Sequence, residues 1–275
     1  MNTSSIQPVN LRCEYLRGPL GIDTARPRLS WQLSGERRGA MQSAYQVMVT
    51  TTEPGNDVVW DSGRVASDAS VHVEYGGPAL RSRQRYHWTV TVWDENDHAA
   101  TSTEAWWEMG LLAADEWRAD WIGLGNAGPF GSPLPAGGTR PRQAGTAAAD
   151  TANASVLAFG ERRPSPYLRT TFEVAGPVRR ARIYATARGV YELRLNGERV
   201  GDALLPPGWT DYHQRIQYQT YDVSKQLRDG VNTIGAILGD GWYCGYLGFD
   251  PRWRAYRYGY KPSLLLRLEV DMEDG

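Results

Sequence analysis

Phenylalanine is scarce in this sequence, at 4 of 275 residues, and cysteine scarcer still, at 2. Cys13 and Cys244 fall in regions read below as different domains, so no disulfide is expected, and two thiols fit a reducing compartment. No sign of charge predominates: 30 Lys and Arg stand against 31 Asp and Glu, a net charge of −1. That balance argues against a nucleic-acid partner and against a strongly charged one. No apolar run is long enough to span a bilayer, so no membrane partner is expected. Met1 to Asn10 lack the basic and apolar regions of a secretory signal, and the expected location is cytoplasmic.

What is abundant is aromatic residues with a polar handle, 11 Trp and 15 Tyr. Such side chains suit both β-sandwich cores and surfaces on which sugars stack, and composition alone does not apportion them. The length allows two domains or one large one. Through the first part the apolar pattern has the period of a strand. Tyr45, Val47 and Val49 alternate with Gln46, Met48 and Thr50. Tyr86, Trp88, Val90 and Val92 alternate with His87, Thr89, Thr91 and Trp93, before the polar turn Asp94-Glu95-Asn96-Asp97. Val58 to Asp61 reads as a short strand, and Pro27 precedes an edge or first strand containing Leu29 and Trp31. Closely spaced strands without a helical stripe predict a β-sandwich over 8–110.

Residues 111–124 read as a connector. The segment 125–165 is rich in Gly, Ala, Pro, Thr and Arg and poor in large apolar side chains, which predicts a flexible linker. Strand patterning returns in 166–275. Ala181, Ile183, Ala185 and Ala187 alternate with Arg182, Tyr184, Thr186 and Arg188. Tyr191, Leu193 and Leu195 lead into Asn196-Gly197, a strong hairpin signal because both turn residues must accept positive φ. Gln217–Val223 and Val231–Leu238 supply further strands. Finally Leu264, Leu266, Leu268, Val270 and Met272 share one face, and the strand runs into Asp274-Gly275. A hairpin turn without a returning strand leaves an open edge, so the second domain is expected to stop short of its last strand or strands.

Catalytic motifs are few. There is no Gly-x-Ser-x-Gly elbow and no phosphate-binding glycine loop. His72, His87, His98 and His213 are scattered and read as structural or solvated. Asp94, Glu95 and Asp97 match no calcium-loop spacing and read as a solvated turn. No metal and no cofactor are expected. The densest constellation joins Pro206-Pro207-Gly208-Trp209-Thr210-Asp211-Tyr212-His213 to Gly239-Asp240-Gly241-Trp242-Tyr243-Cys244-Gly245-Tyr246. Its candidate substrate-binding residues are Trp209, Asp211, Tyr212, Asp240, Trp242 and Tyr243. Aromatic rings stack on the apolar face of a sugar, and carboxylates accept hydrogen bonds from its hydroxyls. The same residues also suit packing in a core or between domains, with Asp211 and Asp240 stabilising turns.

These residues carry a family resemblance. Leu11-Arg12-Cys13-Glu14-Tyr15, Gly21-Ile22-Asp23, Pro27-Arg28-Leu29-Ser30-Trp31, Val59-Trp60-Asp61-Ser62-Gly63, Tyr86-His87-Trp88, Val92-Trp93-Asp94 and Trp117-x-x-x-Trp121-Ile122-Gly123 resemble the fibronectin type III-like opening module of bacterial α-L-rhamnosidases of glycoside hydrolase family 78. Leu195-Asn196-Gly197, Pro207-Gly208-Trp209-Thr210-Asp211-Tyr212, Tyr218 to Val223 and Gly239-Asp240-Gly241-Trp242-Tyr243 resemble that family's N-terminal jelly-roll module. The resemblance covers nearly the whole chain outside 125–165. It implies an all-β chain, a fibronectin type III-like β-sandwich followed by a truncated jelly-roll β-sandwich. It also implies the accessory portion of an inverting hydrolase that removes terminal α-L-rhamnose from glycosides. The family's catalytic carboxylates lie in a later (α/α)6 barrel. No segment here matches that barrel, so no catalytic residue is assigned and the chain alone is expected to be inactive. The implied partners are that C-terminal barrel and, through the full-length enzyme, rhamnose-containing glycosides. Some relatives insert a calcium-dependent sugar-binding module near the position of the linker, but the segment here is too short for one. A stand-alone carbohydrate-binding module and a structural spacer remain the alternatives.

Overall fold

The computed structural model describes residues 6–51, 57–124, 164–247, 257–259 and 261–274. The chain divides into two compact units, Met1–Arg118 and Ala119–Gly275. The predicted linker, apart from residues 164 and 165, lies outside the described residues.

In the first unit, strands β1 (Gln7–Cys13), β2 (Arg28–Ser34) and β5 (Val73–Glu74) form one sheet. The other runs in the order β4 (Asp57–Asp61), β3 (Gln42–Thr51), β6 (Arg85–Asp94), β7 (Ala99–Thr101), and β8 (Ala105–Glu108) also pairs with β6. All of these pairings are antiparallel. Strict alternation places Tyr86, Trp88, Val90 and Val92 of β6 inward. They meet Trp31, Val47, Val49, Tyr75 and Trp107 in a core built largely from aromatic rings. Tyr86 and Trp107 stack at 5.4 Å, and Tyr75 meets Trp60 edge-on at 5.1 Å.

Several buried polar groups of this unit pair with one another or with backbone, as burial favours. The Trp31 indole donates to Gln42 Oε1 at 3.0 Å, and Gln42 Nε2 donates to the Ser67 and Ala69 carbonyls. Asp94 differs from the expected solvated turn. It is fully buried, and its Oδ1 accepts from the backbone N–H groups of Asn96 and His98. The turn is thus shaped from within by a carboxylate, while Glu95 and Asp97 pair with Arg37 and Arg64. A 3-10 turn at Ala114–Glu116 closes the unit.

In the second unit, one sheet has the order β13 (Gln219–Asp222), β10 (Val178–Arg188), β15 (Ser263–Met272). The other has the order β12 (Glu198–Arg199), β11 (Val190–Leu195), β14 (Gly230–Gly239), β9 (Tyr167–Val174). Ala181, Ile183, Ala185 and Ala187 from one sheet and Leu193, Leu195, Ala236 and Leu238 from the other bury a shared, largely aliphatic core. This is a β-sandwich of jelly-roll type. Each large aliphatic side chain buried in it contributes about 1.5–3 kcal/mol.

The hairpin at Asn196-Gly197 forms as its residues require, with φ of 53° and 88°. The β10 alternation, in contrast, does not leave one face open: Arg182, Tyr184 and Thr186 are buried as well. The reason lies in the segment leading into β13. Thr186 Oγ1 donates to the Gln217 carbonyl, Tyr184 packs near Tyr218, and Arg182 pairs with Asp222. At the other end, β15 borders its sheet, and its Leu264 exchanges two 2.8 Å backbone bonds with Ile122. Asp274 lies in a turn, and Gly275 falls outside the described residues. No helix among the described residues is long and apolar enough to cross a membrane.

Candidate functional site

The aromatic constellation of the second unit is built on two loops. The first, at 206–217, is tied to the sandwich at several points. Tyr191 N donates to the Pro206 carbonyl at 3.0 Å, and Gln219 Nε2 donates to the Pro207 carbonyl at 3.2 Å. The Tyr191 hydroxyl, buried between the sheets, contacts Gln219 Oε1 at 2.7 Å, the Tyr221 hydroxyl at 3.0 Å and the Ala185 carbonyl at 3.1 Å. Burial holds that phenol far above its usual ionisation range. A rigid buried network therefore sets where the 206–217 loop leaves the fold.

The second loop begins at the end of β14 and contains a single helical turn, α1 (Gly241–Cys244). Gly241 starts it at φ +50°, and a Cβ there would stand 2.7 Å from Val190 Cγ1. Only glycine fits a left-handed backbone pressed so closely against its neighbour. The Asp240 carbonyl accepts from Cys244 N at 3.0 Å, but the Asp240 carboxylate makes no capping bond.

The loops meet in a small cluster of buried Tyr212, Tyr243 and Cys244, against which Ile216, Trp242 and Tyr258 pack. Tyr212 meets Tyr243 edge-on at 5.3 Å and Tyr258 at 5.1 Å. Its hydroxyl donates to the Gly208 carbonyl at 3.1 Å. Burial, with Tyr258 and Cys244 nearby, pushes the Tyr212 phenol up to about 12. The Tyr243 phenol is raised as well, again chiefly by burial.

The six sequence candidates are thus drawn into one region but occupy different environments. Tyr212 and Tyr243 are each only 8% exposed. Asp211 holds its own turn: its carboxylate accepts from His213 N and Gln214 Nε2, both at 3.1 Å. Asp240 is exposed. Trp209 is 58% exposed and lies parallel to Trp242, with planes 2° apart and centroids separated by 6.4 Å. Tyr258 and Ile216 complete the cluster and were not among the sequence candidates. Ile216 sits in no glycine- and aromatic-rich motif, whereas Tyr258 belongs to a third aromatic run, Tyr256-Arg257-Tyr258-Gly259-Tyr260, which sequence alone did not join to the other two. His213, exposed as expected, also reaches the Tyr258 ring at 5.1 Å. Among the described residues no group of three or more His, Cys, Asp or Glu is placed to hold a metal ion.

Comparison with known proteins agrees with this architecture. Residues 8–113 match the N-terminal immunoglobulin domain of Rha78A-like proteins, and residues 176–275 match the α-L-rhamnosidase N-terminal domain. An α-L-rhamnosidase of Streptomyces avermitilis is 32% identical over 99% of this chain, which spans 40% of that relative. One from Formosa agariphila is 36% identical over 95% of this chain, which spans 26% of that relative. The crystal structure of the Streptomyces avermitilis α-L-rhamnosidase complexed with L-rhamnose superposes with a TM-score of 0.80 at 30% identity, over 98% of this chain and 40% of that one. The α-L-rhamnosidase from Dictyoglumus thermophilum gives a TM-score of 0.77 at 34% identity, over 99% of this chain and 28% of that one. The chain therefore spans well under half the length of these relatives.

Proposed function

The chain belongs to the α-L-rhamnosidase family as an N-terminal portion, and from that premise we propose that it is the accessory region of an enzyme that hydrolyses terminal α-L-rhamnose from glycosides with inversion. The observation that supports this most directly is the succession of the two matched modules along one chain, 98% of which is covered by the match to a rhamnosidase structure. Inverting hydrolysis needs one carboxylic acid to protonate the leaving oxygen and one carboxylate to activate water from the opposite face. In this reading both come from a helical barrel outside these 275 residues, and the present units support that barrel. The six-residue cluster then faces the substrate side: Trp209, Trp242 and Asp240 offer contact surfaces, while Tyr212, Tyr243 and Asp211 hold their geometry.

The test is hydrolysis of 4-nitrophenyl α-L-rhamnoside by two proteins. One is the purified chain; the other is a chimera in which it replaces the matching portion of the Streptomyces avermitilis enzyme. The chimera is expected to turn over and the chain alone is not. Turnover by the chain alone, with contaminating activity excluded, would overturn the proposal, as would a folded but inactive chimera. The exposure of Trp209 beside Trp242 favours a second reading, a carbohydrate-binding module that acts without a barrel. Sugar affinity in the chain together with an inactive chimera would select it.

A further inference from the structure

We propose that Asn196 is a modification site: when the β11–β12 hairpin opens, its side-chain amide is lost as ammonia, and the folded hairpin holds that reaction in check. Asn196-Gly197 is the one Asn-Gly pair in the sequence. Glycine has no Cβ, so nothing shields its backbone nitrogen from the side-chain carbonyl of the residue before it. The reaction balances with water as its only co-reactant. Hydroxide removes the Gly197 N–H proton, and the nitrogen attacks Cγ of Asn196. The new N–Cγ bond closes a succinimide ring. The Cγ–Nδ2 bond breaks as a proton from water reaches Nδ2, and ammonia departs. Water then opens the ring at either carbonyl, leaving aspartate or isoaspartate at position 196.

The fold controls this chemistry through the asparagine side chain. Asn196 Nδ2 donates to the Gln226 carbonyl and to Asn232 Oδ1, both at 2.8 Å, and Asn196 Oδ1 accepts from Thr233 N at 2.9 Å. Rotating the side chain surrenders all three bonds. Both groups that Nδ2 meets are acceptors, so neither supplies the proton that its departure needs. Asn232 is fully buried and acts as a hub. Its Oδ1 also accepts from Arg228 N at 2.9 Å, and its Nδ2 donates to the Arg228 and Gly230 carbonyls at 2.7 and 2.9 Å. Gly197, in contrast, is exposed, and a Cβ there would meet no described atom within 4 Å beyond its chain neighbours. Water and base therefore reach the attacking nitrogen, and the restraint lies in the bonds of Asn196. Conversion also blocks the way back. A carboxylate at 196 would set an anion against the Gln226 carbonyl and Asn232 Oδ1, where a donor stood. Isoaspartate would add a carbon to the backbone of a tight turn. An opening that lasts long enough to react thus becomes permanent, and the modification records it.

Peptide mapping by mass spectrometry of the 275-residue chain, held in mildly alkaline buffer with and without urea, tests the proposal. Conversion of Asn196 is expected to be at least about tenfold faster in urea, the protection given by one or two net hydrogen bonds. Exchange of the amide for a hydroxyl changes the mass of the peptide, whereas isomerisation at Asp229-Gly230 or Asp240-Gly241 does not. Gly197→Ala should slow the reaction in urea, because the added methyl shields the nitrogen. Asn232→Ala should speed it in buffer, with circular dichroism checking the fold; if that variant does not fold, the ratio measured on the parent decides alone. Ion exchange separates the converted chain by its added negative charge, and after return to buffer it should melt below the unconverted chain. Equal rates with and without urea, no conversion in either, a Gly197→Ala rate in urea equal to that of the parent, or a converted chain that melts like the unconverted one would overturn the proposal. None of these results bears on the accessory-region reading, which the chimera's hydrolysis decides.

Discussion

The two units use the same aromatic residue types in opposite ways. In the first, Trp31, Tyr75, Tyr86, Trp88 and Trp107 are the core itself, buried between the sheets. In the second, the space between the sheets is filled mainly by Ala, Ile, Leu and Val. Tyr212, Trp242, Tyr243 and Tyr258 there form a satellite cluster, and beside it Trp209 reaches solvent. A sandwich already packed with aliphatic residues does not need its tryptophans for stability, and those left outside are available for contact with something else. Burial, not residue type, separates the two roles.

The sharpest way to break this contrast is a matched pair of substitutions. Trp107→Ala should cost the first unit about 3–5 kcal/mol, whereas Trp209→Ala should change the stability of the second by no more than about 0.5 kcal/mol. Urea unfolding followed by circular dichroism measures both, and comparable losses would erase the distinction. The next effect is expected from Gly241→Ala. It combines a left-handed backbone with a Cβ 2.7 Å from Val190 Cγ1, at a cost of about 2–4 kcal/mol. The change should appear in the emission of Trp242 as well as in the urea midpoint. Tyr191→Phe removes the hydroxyl that links Ala185, Gln219 and Tyr221, and should cost about 1–2 kcal/mol while loosening the 206–217 loop to proteolysis.

The smallest effects are pH-dependent and differ in sign between the units. Hydrogen bonds from Arg28 hold the Glu14 carboxyl below its ordinary value of 4.5. The unfolded chain takes up that proton first, so the contribution is complete above 4.5 and fades as pH falls below it. Burial raises the Tyr212 phenol from 10.0 to about 12. Its contribution is therefore complete below 10.0 and is lost as pH rises toward 12. Glu14→Gln should flatten the acid limb of the first unit by less than about 1 kcal/mol. Tyr212→Phe should flatten the alkaline limb of the second. Melting temperatures across pH, read separately for the two units, check both.

Much of this fold was legible in the sequence wherever one face of a strand is buried and the other open. The alternation in β6 and the positive-φ pair Asn196-Gly197 translate directly into burial and a hairpin. The alternation in β10 misled, because a loop distant in sequence covers the face that looked free. Asp94 misled in a similar way: a carboxylate in a polar run looks solvated until backbone donors close around it. In the candidate site, the two motifs that meet were visible as glycine-flanked aromatic runs. The division of labour among their residues was not visible. Whether a tyrosine packs inward or an indole faces water depends on partners such as Tyr258 and Ile216, which lie outside the two motifs.

The contrast between the units is tested most directly by mapping tryptophan oxidation with N-bromosuccinimide in the folded chain, read residue by residue by mass spectrometry. The account predicts that Trp209 reacts at the lowest reagent ratio while Trp31, Trp88 and Trp107 remain protected until the first unit unfolds. Protection of Trp209 equal to that of the three core tryptophans would contradict it.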